Sequence, residues 1–201
     1  MALDTIRKAF SAESRWLSVE LIEEASPGLA DALAANGMTI VSRPPLLTVE
    51  PAGLRTPALP EGVTVSVVDS PEDQAKVDAV AVAAYEAEDL ATPFKPDPVD
   101  GGSVLVSWDG VPVATAAWTA VADSVTEVAG VGTLHDYRRR GLGAIATAYA
   151  TQAAFDRGGA TLAWLTPGDD GADRVYRGIG FAPTATAVHL GDPGGQLATL
   201  L

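Results

Sequence analysis

The sequence contains no cysteine, only two histidines, and 13 lysines and arginines against 26 aspartates and glutamates, for a formal net charge of −13 over 201 residues. Without cysteine there is no disulfide framework, no thiolate nucleophile and no zinc–thiolate site, and two isolated histidines argue against a histidine-rich metal centre. The shortage of basic residues argues against nucleic acid, because neutralising phosphates needs a basic stripe and only one basic spot exists. No run approaches the roughly 18 consecutive apolar residues of a membrane span. The opening, "MALDTIRKAFSAESRWL", lacks the unbroken apolar core and small-residue cleavage site of a secretory signal. A soluble, cytoplasmic protein without a membrane partner is expected.

What is present is an apolar fraction of 47%, enough for a core, in a length that suits one sizeable domain, or one domain plus a smaller appendage. From Val63 onward the punctuation is regular. "VTVSVVD" (63–69) alternates as a strand, and "SPEDQAKVDAVAVAAYEAEDL" (70–90) opens with a capping Ser-Pro and continues with helical spacing. "ATPFKPDPVDGG" (91–102) reads as a loop, and 103–121 as a hairpin turning at Asp109-Gly110. A third strand follows at 124–134, then a glycine-rich turn and a helix to about Arg157, a strand at 160–166, a short helix at 171–179 and a last strand at 181–190. This order predicts an α/β (α+β) domain whose mixed, largely antiparallel sheet is flanked by helices.

Residues 17–49 read strand, turn, helix, Gly-apolar, strand, as do residues 161–190. Setting Gly37-Met38 on Gly180-Phe181 pairs Leu21 with Trp164, Leu29 with Ala172 and Leu33 with Tyr176 without a gap. A degenerate internal repeat is expected, a small β-α-β half-domain over 1–58 followed by the main domain over 59–201, with the proline-bearing 50–62 as linker.

Three of the 13 basic side chains stand together in "HDYRRRGLGAIATAYATQAA" (135–154). A glycine-rich turn between a strand and a helix N-terminus presents free N–H groups and the positive end of the helix dipole. Glycines allow close approach, and arginines add charge-assisted bonds to phosphate oxygens. A bound anion is predicted. The loop lacks the Gly-Lys-Ser/Thr of a nucleoside-triphosphate site and the six-position glycine fingerprint of a dinucleotide fold.

These residues resemble the GNAT superfamily of N-acetyltransferases, whose Arg/Gln-x-x-Gly-x-Gly/Ala follows a strand and opens a helix; here it is Arg138, Gly141 and Gly143. "Y176-R-G-I-G180-F181" matches the family's Tyr-x-x-x-Gly-Phe, and the resemblance covers roughly 63–190. It implies acetyl-CoA as co-substrate, with Val131, Gly132 and Thr133 along its pantetheine arm. The amides of Arg139, Arg140, Gly141, Leu142, Gly143 and Ala144 would surround the pyrophosphate, with Arg138 opening the motif. Tyr176 takes the place of the general acid and Glu127 that of a general base kept by some branches. If no bulge intervenes, strand alternation puts 127, 129, 131 and 133 on one face.

Other positions depart from the pattern. Trp164 stands where other branches keep a base, which leaves Asp169 or Asp170 through water as alternatives to Glu127. Asp169 also stands where the family often has a cofactor-bonding asparagine, and a carboxylate cannot donate that bond unless protonated. His135 and His189 are expected to be structural. The implied reaction is acetyl transfer to a primary amine of a small molecule or peptide by direct attack in a ternary complex. The alternative is a non-catalytic acyl-CoA-binding or regulatory module. The N-terminal segment, with Leu33 at the tyrosine's place, is expected to extend the sheet or cover part of the acceptor cleft. Residues 91–102, with Phe94, are expected to form a lip beside the acceptor, and such folds can pair sheet edges as a homodimer.

Overall fold

The computed structural model describes residues 2–85 and 101–193. In chain order the elements are α1 (Ala2–Ala12), β1 (Ser18–Ile22), α2 (Leu29–Ala35), β2 (Thr39–Ser42), β3 (Pro45–Val49), β4 (Val63–Val67), α3 (Pro71–Ala84), β5 (Gly102–Trp108), β6 (Val111–Trp118), β7 (Val125–Thr133), α4 (Leu142–Asp156), β8 (Leu162–Leu165), α5 (Asp170–Gly178) and β9 (Ala182–Gly191). They fall into two compact units. The smaller comprises Met1–Leu47, Thr166–Asp170 and Pro183–Leu201, and the larger Thr48–Leu165 and Gly171–Ala182.

In the smaller unit β9 pairs antiparallel with β1, from Ser18 opposite Gly191 to Ile22 opposite Ala187, and with β2, from Thr39 opposite Gly191. Leu17, Leu21, Ala30, Met38, Val188 and Leu190 form its core, and Leu3 and Phe10 of α1 pack against it. Sequence reading assigned no element to α1, although Leu3 and Phe10 are two turns apart on one helical face. It also ran one strand through to Val49. The structure breaks that strand into β2 and β3 at Arg43-Pro44, where Pro44 and Pro45 have no N–H for a ladder; the Pro44 carbonyl still accepts from the Ala187 N–H at 3.0 Å.

In the larger unit the strand order is β8-β7-β6-β5-β4, antiparallel except for the parallel β7–β8 pair. Ser70 caps α3 by accepting from the Asp73 N–H at 3.1 Å, with Pro71 at the first helical position. The β5–β6 hairpin turns where expected, with positive φ at both Asp109 (49°) and Gly110 (80°), the signature of a tight twisted turn.

Opposite faces of this sheet are covered by α3 and α4. A Cβ on Gly132 would lie 3.0 Å from that of Ala84 in α3, whereas the next residue, Thr133, meets Gly143 in α4; neighbours on a strand point to opposite faces. Helix α4 is buried on most of its surface because it is built of small residues. Its two interior threonines satisfy their hydroxyls within the helix, Thr147 on the Gly143 carbonyl and Thr151 on the Thr147 carbonyl, both at 2.8 Å.

The pairing of Gly37 with Gly180 is matched in local geometry. The Met38 N–H reaches the Leu33 carbonyl at 3.1 Å and the Gly37 N–H the Ala34 carbonyl at 3.0 Å; the Phe181 N–H reaches Tyr176 and the Gly180 N–H Arg177, both at 3.1 Å. Both helices thus end in the same glycine-centred motif, with φ +90° at Gly37 and +110° at Gly180.

Candidate active site

Strands β7 and β8 are joined only at Val125 with Leu162, Thr126 with Ala163 and Glu127 with Trp164. Beyond Glu127, β7 runs on to Thr133 with no strand on that side among the described residues, so its backbone groups there are left without a ladder partner. On its other side β7 carries a bulge. Ala129 faces Ala117 and Gly132 faces Thr115, so Gly130 and Val131 together oppose Ala116, and Gly130 takes φ +61°.

The bulge corrects the expected alternation. Residues opposite each other share a face, so Ala129 lies with Ala117, and Gly132 with Thr115, on the α3 side. Glu127, two residues before Ala129, is on that side too. Thr133 points the other way, toward α4, so Glu127 and Thr133 occupy opposite faces of the strand. Glu127 is half-buried; its N–H donates to Thr119 Oγ1 at 3.0 Å and its carbonyl accepts from the Thr119 N–H at 2.9 Å.

After β7 the chain makes a 3-10 turn at His135–Tyr137, an extended Arg138, a left-handed Arg139 (φ 61°), Arg140, and a left-handed Gly141 (φ 79°) that caps α4. Gly141 has no side chain to cap the helix. Among the described residues, no acceptor meets the N–H groups of Arg139 to Ala144, six consecutive donors at the positive end of a 15-residue helix. Neither glycine makes room for a protein neighbour. A Cβ on Gly141 would meet nothing within 4 Å, and one on Gly143 only Thr133 Oγ1 at 3.6 Å. The open side of the turn suits a polyanion such as a pyrophosphate.

The arginines differ. Arg138 Nη2 donates to the Ala84 carbonyl at 2.6 Å and its Nε to that of Thr133 at 3.2 Å. Arg140 donates to the Asp136 carbonyl at 3.2 Å and lies 5.3 Å from the Trp108 ring centroid and 5.5 Å from that of Tyr137. Sequence reading missed Tyr85, which ends α3 and whose hydroxyl donates to the Val131 carbonyl at 3.1 Å; burial raises its pKa. No local pattern marks this residue, because its partner lies 46 positions away.

Tyr176 is buried in α5, its ring 6.4 Å from that of Phe181 and tilted by 56°. Trp164 is half-buried. Asp169 lies just before α5, within the smaller unit, as does Asp170, the first residue of the helix. His135 is exposed beside Asp136. His189 Nε2 lies 3.2 Å from Glu20 Oε1 across the β1–β9 pair without hydrogen-bond geometry. Phe94 and residues 91–100 of the expected lip lie outside the described residues. Among the described residues no three His, Cys, Asp or Glu side chains cluster as a metal site, and no helix is long and apolar enough to cross a membrane.

Sheet order, the short parallel β7–β8 pair and the donor-lined helix N-terminus define an acyltransferase-type α/β fold. The model of the Acetyltransferase (GNAT) family matches residues 69–181. A GCN5-related N-acetyltransferase from Kribbella flavida is 70% identical over 100% of this chain and 77% of its own, with a TM-score of 0.85. One from Sphaerobacter thermophilus is 18% identical over 90% of this chain and 62% of its own, with a TM-score of 0.68. A tandem GNAT protein from the clavulanic acid biosynthesis pathway is 15% identical over 94% of this chain and 68% of its own, with a TM-score of 0.64. No curated protein matches the sequence. The chain belongs to the GNAT acetyltransferase family, and its activity is acetyl transfer.

Proposed function

We propose that the chain binds acetyl-CoA along β7 and the loop that follows, and transfers its acetyl group to a primary amine within a ternary complex. The observation that carries this reading is the run of N–H groups from Arg139 to Ala144 that meet no acceptor among the described residues, beside the end of the β7–β8 pairing. Those amides hold the pyrophosphate, while the backbone of Val131, Gly132 and Thr133 lies along the pantetheine arm. When bound, acetyl-CoA supplies an acetyl group activated as a thioester.

The protein's own groups then have two protons to move. The amine nitrogen bonds to the thioester carbonyl carbon as the carbon–sulfur bond breaks. For a cationic acceptor, Glu127, directly or through water, would first take the proton that frees the amine lone pair; Tyr176 would donate its phenolic proton to the departing sulfur, and the second proton leaving nitrogen would restore the phenol. With no cysteine in the chain, no cysteinyl acetyl-enzyme can form. The net charge of −13 favours a cationic acceptor, and an acetyl-CoA requirement favours the cytoplasm.

Residues 1–58 are a degenerate half-copy of the domain at 59–201. The shared glycine turn after α2 and α5 supports this, and the tandem architecture named for the clavulanic acid pathway protein gives it a precedent. Leu33 in place of Tyr176 leaves that copy without the acid.

Calorimetric titration of acetyl-CoA into the wild type and a Gly141→Asp/Gly143→Asp variant tests the reading. Binding lost in a variant that still melts cooperatively supports the loop as the phosphate site; a wild type that binds no acetyl-CoA refutes it. CoA release with a mixed amine panel separates enzyme from non-catalytic binding module.

A further inference from the structure

Beyond Glu127, β7 has no strand on its β8 side among the described residues, and on its β6 side it carries a bulge with Gly130 at φ +61°. The ladder that ordinarily fixes a strand's path is therefore weakened on both sides just before Val131. The next three residues are held from elsewhere. Tyr85, which ends α3, donates its hydroxyl to the Val131 carbonyl at 3.1 Å. At Gly132 a Cβ would stand 3.0 Å from that of Ala84 and 3.9 Å from the Ala81 Cα, so the last turn of α3 lies directly on the strand. The Thr133 carbonyl shares a trans peptide with the Leu134 N–H, which donates to the Val113 carbonyl of β6 at 2.9 Å. It is thereby turned away from β6, and there the Arg138 Nε reaches it at 3.2 Å while Nη2 of the same guanidinium closes on the Ala84 carbonyl at 2.6 Å.

One turn of α3 thus grips three consecutive residues of β7. The Tyr85 N–H is already satisfied by the Ala81 carbonyl at 3.0 Å, so the helix ends properly without the phenol, and the bond to Val131 acts on the strand. Val131 stands two residues farther from the arginine–glycine loop than Thr133, roughly 7 Å along the strand, and nearer to Glu127. A cofactor whose pyrophosphate lies on the loop passes Thr133 with the middle of its arm and reaches Val131 with its thioester end.

We propose that Tyr85 is a positioning residue for the acyl group: acting through Val131, it fixes the part of the β7 edge on which the thioester end of the cofactor rests, while Arg138 fixes the part nearer the loop. The proposal rests on the acetyl-CoA reading above. Its physical basis is preorganisation, since an edge already held in one shape does not have to be ordered when the ligand arrives.

The test is calorimetric titration of CoA and of acetyl-CoA into wild type, Tyr85→Phe and Ser70→Ala. Tm is measured for each, and the infrared band of the thioester carbonyl is recorded for bound acetyl-CoA isotopically labelled at that carbon. Ser70→Ala removes the cap at the other end of α3, so it weakens the same helix without touching β7. Both variants lower Tm. Tyr85→Phe is expected to weaken acetyl-CoA about fivefold, the equivalent of one hydrogen bond, and CoA by no more than about twofold, and to shift and broaden the carbonyl band. Ser70→Ala keeps the wild-type ratio of the two dissociation constants and the wild-type band. Gly132→Ala presses the same turn of α3 off the strand with the Tyr85 hydroxyl present; it moves the ratio and the band in the same direction, and serves if Tyr85→Phe does not fold. Equal losses for CoA and acetyl-CoA in Tyr85→Phe, an unmoved band, or the same changes in Ser70→Ala would make the bond purely structural and overturn the proposal while leaving the cofactor reading intact. A wild type that binds neither ligand overturns both.

Discussion

Replacing Tyr176 by phenylalanine removes one oxygen and leaves a ring that can still pack against Phe181. If the phenol protonates the departing sulfur, kcat falls by roughly 10²–10³-fold while the Kd for acetyl-CoA holds within about twofold, because the lost interaction belongs to the transition state. A kcat within threefold of wild type would remove Tyr176 from the chemistry. Tyr85 permits a prediction about stability. Burial raises its pKa, so the folded state holds the phenolic proton more tightly than the unfolded chain does. That contribution is complete below the unfolded pKa of about 10 and is lost as pH rises through the higher folded value. Tyr85→Phe should therefore be less stable than wild type near neutral pH by about 1 kcal/mol, for the bond to the Val131 carbonyl, and should lose less stability above pH ~10. Parallel declines for the two proteins in denaturant melts across that range would contradict it.

At the level of elements, the two glycine turns after α2 and α5 share their bonding but not their surroundings. A Cβ on Gly180 would fall 2.1 Å from the Gly53 carbonyl oxygen, part of a backbone that cannot swing aside, whereas one on Gly37 would meet only the end of the Arg7 side chain at 3.6 Å. Gly37→Ala carries mainly the cost of a positive φ, about 1 kcal/mol, and Gly180→Ala adds an overpacking cost of roughly 2 kcal/mol. Urea melts should rank wild type, Gly37→Ala and Gly180→Ala in falling order, and equal midpoints for the two variants would disprove the packing argument. The same contrast shows what the sequence discloses. The Asp109-Gly110 hairpin, the capped start of α3 and the donor-lined start of α4 were legible because each is specified within a few consecutive residues. The bulge at Gly130-Val131 was not, since two residues facing one is a property of the pairing with β6 and "VAGVG" reads as an ordinary strand. Nor was the task of Arg138, whose acceptor on Ala84 is 54 residues away. The first helix was open to the same reading, since Leu3, Ile6 and Phe10 recur at helical spacing among charges at Asp4, Arg7 and Lys8 only.

Over the whole molecule, the proposed function has the charge of −13 and the arginine loop work on different reactants. Two of the loop's three guanidinium groups are already engaged with protein carbonyls or aromatic rings, so the loop opposes the surrounding negative field only locally. On the proposed function, acetyl-CoA, itself an anion, would approach against the net charge and be held by short-range amide bonds, whereas a cationic amine would approach with it. The net field extends over the Debye length, about 30 Å at 0.01 M salt and about 8 Å at 0.15 M. Encounter with a multiply charged amine should therefore slow as salt is added, whereas a singly charged amine of similar size should respond much less. Steady-state kinetics at saturating acetyl-CoA should show kcat/KM for a tricationic polyamine falling several-fold between those salt concentrations, with kcat nearly constant. A salt response equal for the tricationic and monocationic acceptors would mean that the acidic surface serves solubility alone and that the acceptor is chosen by the shape of its pocket.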